Sequence, residues 1–544
     1  MPMADRKLED RSMQAHLDTR KHADPKEADD ISEKTMGVET PPSERLNSTT
    51  SADGTPHTIL SFKPGDPTNP RNWSHTKEVF VVVSGILLVT NSTLGSSIPS
   101  GASDETSKYF NVTSETQLVL PASMYLLGYV LGPLAFSPLS ETYGRQIVMR
   151  STFAIYTAFT LGCALAPSWA GLVVMRLLTG IGASTPLSVI GGIYADIYAS
   201  PKARGRAISV FMCSTCFGPL LGPVMSGFIA PVSWRWAYWL QLIIAGATWP
   251  LLLTMPETFA PTILAKQAKK MRKESGRDNV YAPTELEHRD MREIFVVVLT
   301  RPIRLFLFEA VVLCSCLYLS LIYAIFYMFL QSYPIIYKGI YGFNSGEEGL
   351  AFLPIGIGSI IACLIYLYWD HWLDQQRARN PAPAWTQKVE YARVPLACLG
   401  APLLPASMFW LGWAARADIH WSVPMVSAIP FGIAYLLVFI ALINYIVDAY
   451  EVYSASAMAA ASCSRSLFGA VLPFATTPMF TKLGVAWACS LLGFLSMLMG
   501  IIPFLFLRYG DTIRANSKFG QELKKQKEDA EKKEREDEER MTEV

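Results

Sequence analysis

The sequence predicts an all-α membrane protein with twelve transmembrane helices arranged as two pseudo-symmetric six-helix bundles. Three observations carry the prediction. The 544 residues are 51% hydrophobic and only 17% charged, against about 25% charged in ordinary soluble domains. The charges crowd the ends: 25 fall in residues 1–78 and 21 in residues 508–544, leaving 47 for the 429 residues between, too few to coat a soluble globule of that size. From Val79 onward, apolar runs of roughly twenty residues follow one another, each long enough to cross ~30 Å of hydrocarbon. A soluble enzyme is excluded by this texture. The balance of 47 basic to 46 acidic residues also argues against a nucleic-acid partner.

Taken in order, residues 1–72 are polar, rich in Pro, Ser, Thr and alternating charge, and are expected to form a disordered cytoplasmic tail. Met1 to Arg20 holds no apolar stretch of the kind that opens a signal peptide. The apolar runs lie at 79–98, 117–138, 147–166, 169–194, 205–230 and 235–254, within a first bundle of residues 73–254. They continue at 304–330, 347–368, 394–415, 423–446, 454–479 and 484–507, a second bundle of residues 304–507. A polar segment, 255–303, divides them. In it, Ile263, Leu264, Ala268 and Met271 alternate with Lys266, Lys269, Lys270, Arg272 and Lys273, which reads as a basic amphipathic helix lying on a membrane surface. Residues 508–544 form a charged cytoplasmic tail without an apolar face. All nine Cys lie between Cys163 and Cys489 in apolar runs without zinc spacing, so neither a metal site, a disulfide framework nor a cofactor is expected.

Lys and Arg set the orientation. With the amino terminus inside, the inner loops hold Arg145, Arg150, Lys202, Arg204, Arg206, nine basic residues of 255–303, Arg377, Arg379, Lys388 and Arg393. The outer loops hold Lys108, Arg235, Lys338, Arg416 and Lys482. Both termini are therefore expected in the cytosol, and Asn111-Val-Thr113 becomes a candidate glycosylation acceptor on the outer face. The halves echo each other: Ser214-Thr-Cys-Phe-Gly218 in the fifth run resembles Arg465-Ser-Leu-Phe-Gly469 in the eleventh, as internal duplication in transporters leads one to expect.

Three motifs carry chemistry. Between the second and third runs stands Ser137-Pro-Leu139-Ser-Glu141-Thr-Tyr-Gly144-Arg145-Gln, where Glu141 and Arg145 can pair at helix ends and latch bundles. The fourth run holds Arg176 about seven residues inside, in Arg176-Leu-Leu-Thr-Gly180-Ile-Gly182. A buried arginine costs a few kcal/mol even on the mildest insertion scale, so it must pair. The fifth holds Phe217-Gly218-Pro219-Leu-Leu-Gly222-Pro223-Val-Met-Ser-Gly227, a bare glycine strip for close helix approach with two prolines that kink it.

These motifs resemble those of the major facilitator superfamily. The first is similar to its loop motif, with Ser137 and Thr142 standing where a glycine and an arginine are usual. The second resembles the arginine motif of proton-driven antiporters, and the third the antiporter signature of exporters, with Pro223 in place of a glycine. From about residue 64 to 520 the chain resembles fungal drug:proton antiporters with twelve spans. Further matches are Asp66-Pro-Thr-Asn-Pro-Arg-Asn-Trp73-Ser, Trp234-Arg-Trp-Ala-Tyr-Trp239, Pro256-Glu-Thr258 and Asn444-Tyr-Ile-Val-Asp448-Ala-Tyr450. The resemblance implies a fold in which helices 1, 4, 7 and 10 line a central cavity, and a proton-coupling role for Arg176.

In the seventh run, Glu309, Cys316, Ser320, Tyr323, Tyr327 and Gln331 keep to one helix face. With Ser84 and Asn91 in helix 1 and Asn444 in helix 10, they are candidates for the cavity. Glu309 is the carboxylate inside an apolar run and a candidate proton carrier. Asp196 and Asp448 sit near inner helix ends as proton, gate or latch partners. Arg465, eleven residues into helix 11, either pairs or binds an anionic substrate. Two functions fit. One is proton-coupled efflux of small amphipathic organic molecules such as drugs, toxins or fungal secondary metabolites. The other is proton-coupled uptake of an organic nutrient on the same fold, against which Gly218, Pro219 and Gly222 weigh. No H-E-x-x-H, G-x-S-x-G or G-x-x-x-x-G-K-[ST] supports catalysis or ATP-driven pumping. The expected partners are the small-molecule substrate, protons and the lipid bilayer. The chain is expected to act as a monomer, with the plasma membrane as its expected address and the vacuolar or peroxisomal membrane as alternatives.

Overall fold

The apolar runs of the sequence form long helices, many of them carrying proline inside. The computed structural model describes residues 47–50, 56–63, 65–275, 279–286, 291–379, 383–450, 453–517 and 521. Span 1 is His75–Ser97, span 2 Leu120–Tyr143, span 3 Arg145–Ala164 and span 4 Trp169–Ile197. Span 5 is Pro201–Ile229 and span 6 Arg235–Thr254. In the second half, span 7 is Ala310–Tyr333, span 8 Leu353–Arg377, span 9 Val389–Ala414 and span 10 Ala428–Tyr450. Among the described residues, eleven helical runs are long and apolar enough to cross a membrane, and the last, Ser454–Ala515, has 62 residues. A straight helix of that length would measure about 93 Å at 1.5 Å per residue, three times a bilayer core. It is two spans: Gly484, at φ 73° and ψ 164°, breaks it into spans 11 and 12.

The seventh span departs from its expected limits. It begins at Ala310, not 304, because Glu309 (φ −102°, ψ 107°) leaves the helical region and separates Met291–Phe308 from the membrane helix. Glu309 is therefore a helix-junction residue at the start of span 7. The break leaves 24 residues for span 7, still enough to cross.

Spans 7 and 10 form the centre of the second bundle. In their most apolar windows 83% and 78% of the residues are buried, against 33% for the peripheral span 6. The duplication read from the sequence is physical. Gly218 of span 5 lies so close to span 1 that an added Cβ would sit 2.7 Å from Leu94 N. Gly469 of span 11 meets span 7 in the same way, 2.9 Å from the ring of Tyr323. Between the bundles, span 2 packs on span 11 and span 5 on span 8, two contacts that a two-fold axis exchanges.

The amphipathic helix Ala260–Ser275 does not have its apolar face free for a membrane. Strands β1 (Asn47–Thr50), β2 (Pro56–Ile59) and β3 (Val280–Tyr281) form a small sheet in that order, β1 and β2 antiparallel and β2 and β3 parallel. Leu264 and Ala268 bury against Leu60, Val280 and Ala282, with Phe62 and Met271 packed on them. Lys266, Lys269, Lys270 and Lys273 stay exposed. Arg272 forks onto Glu285 with two bonds of 2.8 Å and holds its carboxyl below the ordinary glutamate range. The short strands and the turn Pro70–Asn72 are small additions to an otherwise helical chain. The remainder of 1–46, and 522–544 of the carboxyl-terminal tail, lie outside the described residues. Arg508–Ala515 extend span 12 as helix.

Glycine substitutions separate backbone demand from crowding. Gly484 has no heavy atom within 4 Å of an added Cβ but a positive φ, whereas Gly246 has the same open space inside a regular helix. Gly484→Ala should lower the melting temperature of the detergent-solubilised protein, a strained non-glycine backbone costing ~1–3 kcal/mol. Gly246→Ala should leave it unchanged or raise it. Equal melting of the two variants would refute the conformational reading.

Candidate functional site

A run of hydroxyl residues, Thr90 to Ser97, gives span 1 a polar face within an apolar helix. Proline at 99 makes its end reactive. Pro99 has no N–H, so the Gly95 carbonyl lacks its i+4 donor. Arg176 of span 4, with no exposed surface, supplies one: Nη2 donates to Gly95 O at 2.7 Å and to Ser96 O at 3.4 Å, and Nε to Pro121 O at 2.9 Å. Its plane lies over the ring of Tyr125 at 4.3 Å. The charge is thus met by helix-end carbonyls and π density; among the described residues it pairs with no carboxylate.

The two bundles meet at a layer of tyrosines. Ser92 Oγ lies 2.5 Å from Tyr129 OH, and Tyr125 OH donates to Ser92 O. One turn further, Ser96 Oγ and Tyr327 OH are 2.7 Å apart, which joins span 1 to span 7 across the interface. Tyr323 OH donates to Tyr327 OH at 3.4 Å. Arg465 of span 11 is 7% exposed and lies 5.7 Å from the rings of both Tyr323 and Phe439.

At the inner end, Arg145 gathers three groups of its own bundle. Nε is 3.4 Å from Asp196, Nη1 donates to Ser140 Oγ at 2.7 Å, and Nη2 is 3.7 Å from the exposed Glu141. Glu257 caps span 3 by accepting from the backbone N–H groups of Arg145 (2.9 Å) and Gln146 (3.2 Å), a carboxylate at a positive helix terminus. Gly144, at φ 101°, makes room for it, since a Cβ there would lie 2.5 Å from Glu257 Oε2. The second half repeats the arrangement: Arg393, at the start of span 9, holds Asp448, at the end of span 10, at 2.8 Å. Glu141 and Arg145 therefore tie span 2 to spans 3 and 4 within one bundle.

The outer end is closed by backbone contact and by charge. Gly222 faces Ile98 N, 2.9 Å from an added Cβ, and Gly349 lies 2.7 Å from Pro223 O in the same sense. A Cβ on Gly227 would strike Ser345 O. Above them Lys338 reaches Asp104 of the first half at 2.8 Å and Glu348 of the second at 2.9 Å.

With this geometry in place, comparison with known proteins is decisive. Residues 80–473 match the Major Facilitator Superfamily. The chain belongs to that superfamily. It is 34% identical over 466 residues to the transporter paaT of Penicillium rubens, covering 85% of this chain and 83% of that one. It is 36% identical over 471 residues to the efflux pump FUBT of Fusarium oxysporum, covering 85% and 78%. Among solved structures, the xylose transporter XylE of E. coli in a partially occluded inward-open conformation superposes with a TM-score of 0.57 at 17% identity. That match covers 79% of this chain and 97% of the other and establishes the fold. The protein is accordingly a multi-pass membrane transporter of small molecules.

Within this superfamily member the expected cavity residues part company. Tyr323, Tyr327 and Arg465 come together, and Ser320 is buried on the same face of span 7. Asn91 points elsewhere: its Oδ1 accepts from Tyr156 OH at 2.6 Å and its Nδ2 donates to Thr248 at 3.3 Å, inside the first bundle. Asn444 is buried on span 10, Gln331 half-buried toward the outer end of span 7, and Asn111 an exposed αL residue ending Ser103–Phe110. Glu309 is 1% exposed and accepts from Tyr450 OH at 2.8 Å, at the inner junction and away from the tyrosine layer. Sequence reasoning missed Ser92, Ser96 and Tyr129, whose signal was the hydroxyl run of span 1. It also missed the cluster of Asp104, Lys338 and Glu348, because Lys338 was read only as a loop charge.

Removing Arg176 strands carbonyls in the interior, at ~1–3 kcal/mol for each buried polar group left unmet. Arg176→Ala should lower the melting temperature by several degrees, and Arg176→Lys should recover only part of the loss, since a point charge cannot span two helix ends as a planar fork does. A melting curve for Arg176→Lys that overlays the wild type would contradict this account.

Proposed function

We propose that the protein is a secondary active exporter. It moves small amphipathic organic molecules such as drugs, toxins or fungal secondary metabolites out of the cell by alternating access, in exchange for protons moving inward. The observation that carries the reading is the outer seal of span 5. Gly222 and Gly227 bring its backbone against span 1 and against Ser345 of the second bundle, so the outer end closes by direct helix contact while the tyrosine layer lies below it. Relatives named as efflux pumps, such as FUBT, support the outward direction. Arg176 sets the position of the span 1 terminus, and Asp196, Asp448 and Glu309 are the carboxylates available to carry protons. The protein works as a monomer in the plasma membrane.

The direction of transport is tested in inside-out vesicles. An acidic lumen should drive substrate inward as protons leave, and exit of preloaded substrate together with protons would identify a symporter instead. Gly222→Val should abolish export while leaving membrane delivery intact. Overpacking costs ~1–3 kcal/mol, comparable to the few kcal/mol between alternating states. Substituting Glu141 or Arg145 should alter transport rate much more than equilibrium affinity; a pure affinity loss would assign them to binding.

A further inference from the structure

The geometry points to a binding site at Arg465 for a monoanionic amphipathic cargo, a carboxylate or sulfonate carried on an aromatic or apolar body. This deepens the exporter reading and rests on it, since that reading makes the space between the bundles the cargo's path.

Arg465 and Arg176 are both buried arginines, but their surroundings differ. Arg176 donates to three carbonyls through Nε and Nη2 and leaves Nη1 alone without a partner. Arg465 Nε has no hydrogen-bond partner, and among the described residues no Asp or Glu lies within ion-pair distance of its guanidinium. An ionised group in an apolar interior requires an opposite charge or a set of acceptors. Among the described residues the structure gives it ring faces, Tyr323 and Phe439 at 5.7 Å, beside the thiols of Cys216, Cys316 and Cys463. Those rings leave the guanidinium edge, with its donors in a fork matched to a carboxylate, for a ligand.

The fold does not require an arginine at this position. The repeat places Ser214 of span 5 where span 11 has Arg465, so one half folds with a small hydroxyl there. The position is also at the interface. Cys463, two residues earlier, donates to Val130 O of span 2 at 3.6 Å, and Gly469, one turn later, touches Tyr323 and Leu126. A second, independent observation marks the same face of span 7: Ser320 Oγ, one turn from Tyr323, is fully buried and unpartnered. It adds a hydroxyl donor beside the aromatic walls.

The test is equilibrium binding of two isosteric probes, 2-naphthoate and 2-naphthamide, to the purified full-length protein without any gradient. Wild type should bind the naphthoate at least tenfold more tightly than the amide. Arg465→Gln should bring the two affinities within twofold of each other while leaving that of the amide unchanged, which also reports that the variant is folded. If Arg465→Gln does not fold, Arg465→Lys replaces it, and the preference should fall severalfold as the fork becomes a point charge. Equal binding of the two probes by wild type, no measurable naphthoate binding, or a preference unaffected by either substitution overturns the proposal. Because no transport is measured, this result stands apart from the vesicle experiment: cargo class and direction of transport fail separately.

Discussion

A guanidinium enclosed by apolar helices has to be met by oxygen or by π density, and much of this structure follows from how that demand is answered. At Arg176 the answer comes from the chain itself. Pro99 removes the amide that would bond Gly95, and the arginine of span 4 takes up the exposed carbonyl together with that of Pro121. Spans 1, 2 and 4 are thereby held at one point. The hydroxyl of Ser92 lies one turn before it and that of Ser96 beside it, and they face Tyr129 and Tyr327, so the position of the inter-bundle contact depends on where Arg176 fixes the end of span 1.

The repeat distributes charge by the same logic. Arg145 with Asp196, and Arg393 with Asp448, join the start of one helix to the end of the next within each half. Such ties stiffen each bundle without binding it to its partner, which suits rigid bodies that rock about an interface. The exchange-related packing of span 2 on span 11 and of span 5 on span 8 supplies the surfaces on which they move. Departures from the repeat are correspondingly informative, and the pairing of Ser214 in one half with Arg465 in the other is a departure in charge.

Much of this was legible in the sequence because hydrocarbon is an unforgiving solvent. Apolar length gave twelve spans, and the motif glycines gave the close contacts of span 5. Side-chain periodicity placed Tyr323, Tyr327 and the buried Ser320 on one face, but it could not say that Asn91 turns toward Tyr156, since a helix in a bundle has neighbours on several sides. The junction at Glu309 was not legible because hydropathy registers composition and is blind to a single residue leaving the helical region. The amphipathic helix was misassigned for a related reason: an apolar stripe states that something covers it, without stating whether lipid or protein does so. The segments that cover it, around Leu60 and Val280–Ala282, are too short for alternation to be read.

The small sheet has a topological consequence. β2 precedes span 1, β3 follows span 6, and the two pair side by side, so the six helices between them are held in a closed ring with its ends fastened. Everything needed to fasten it has been synthesised once residue 286 is made, before span 7 exists. The first half can therefore complete its own assembly during translation, as domains folding in order of synthesis do, and present a finished surface against which the second half is inserted.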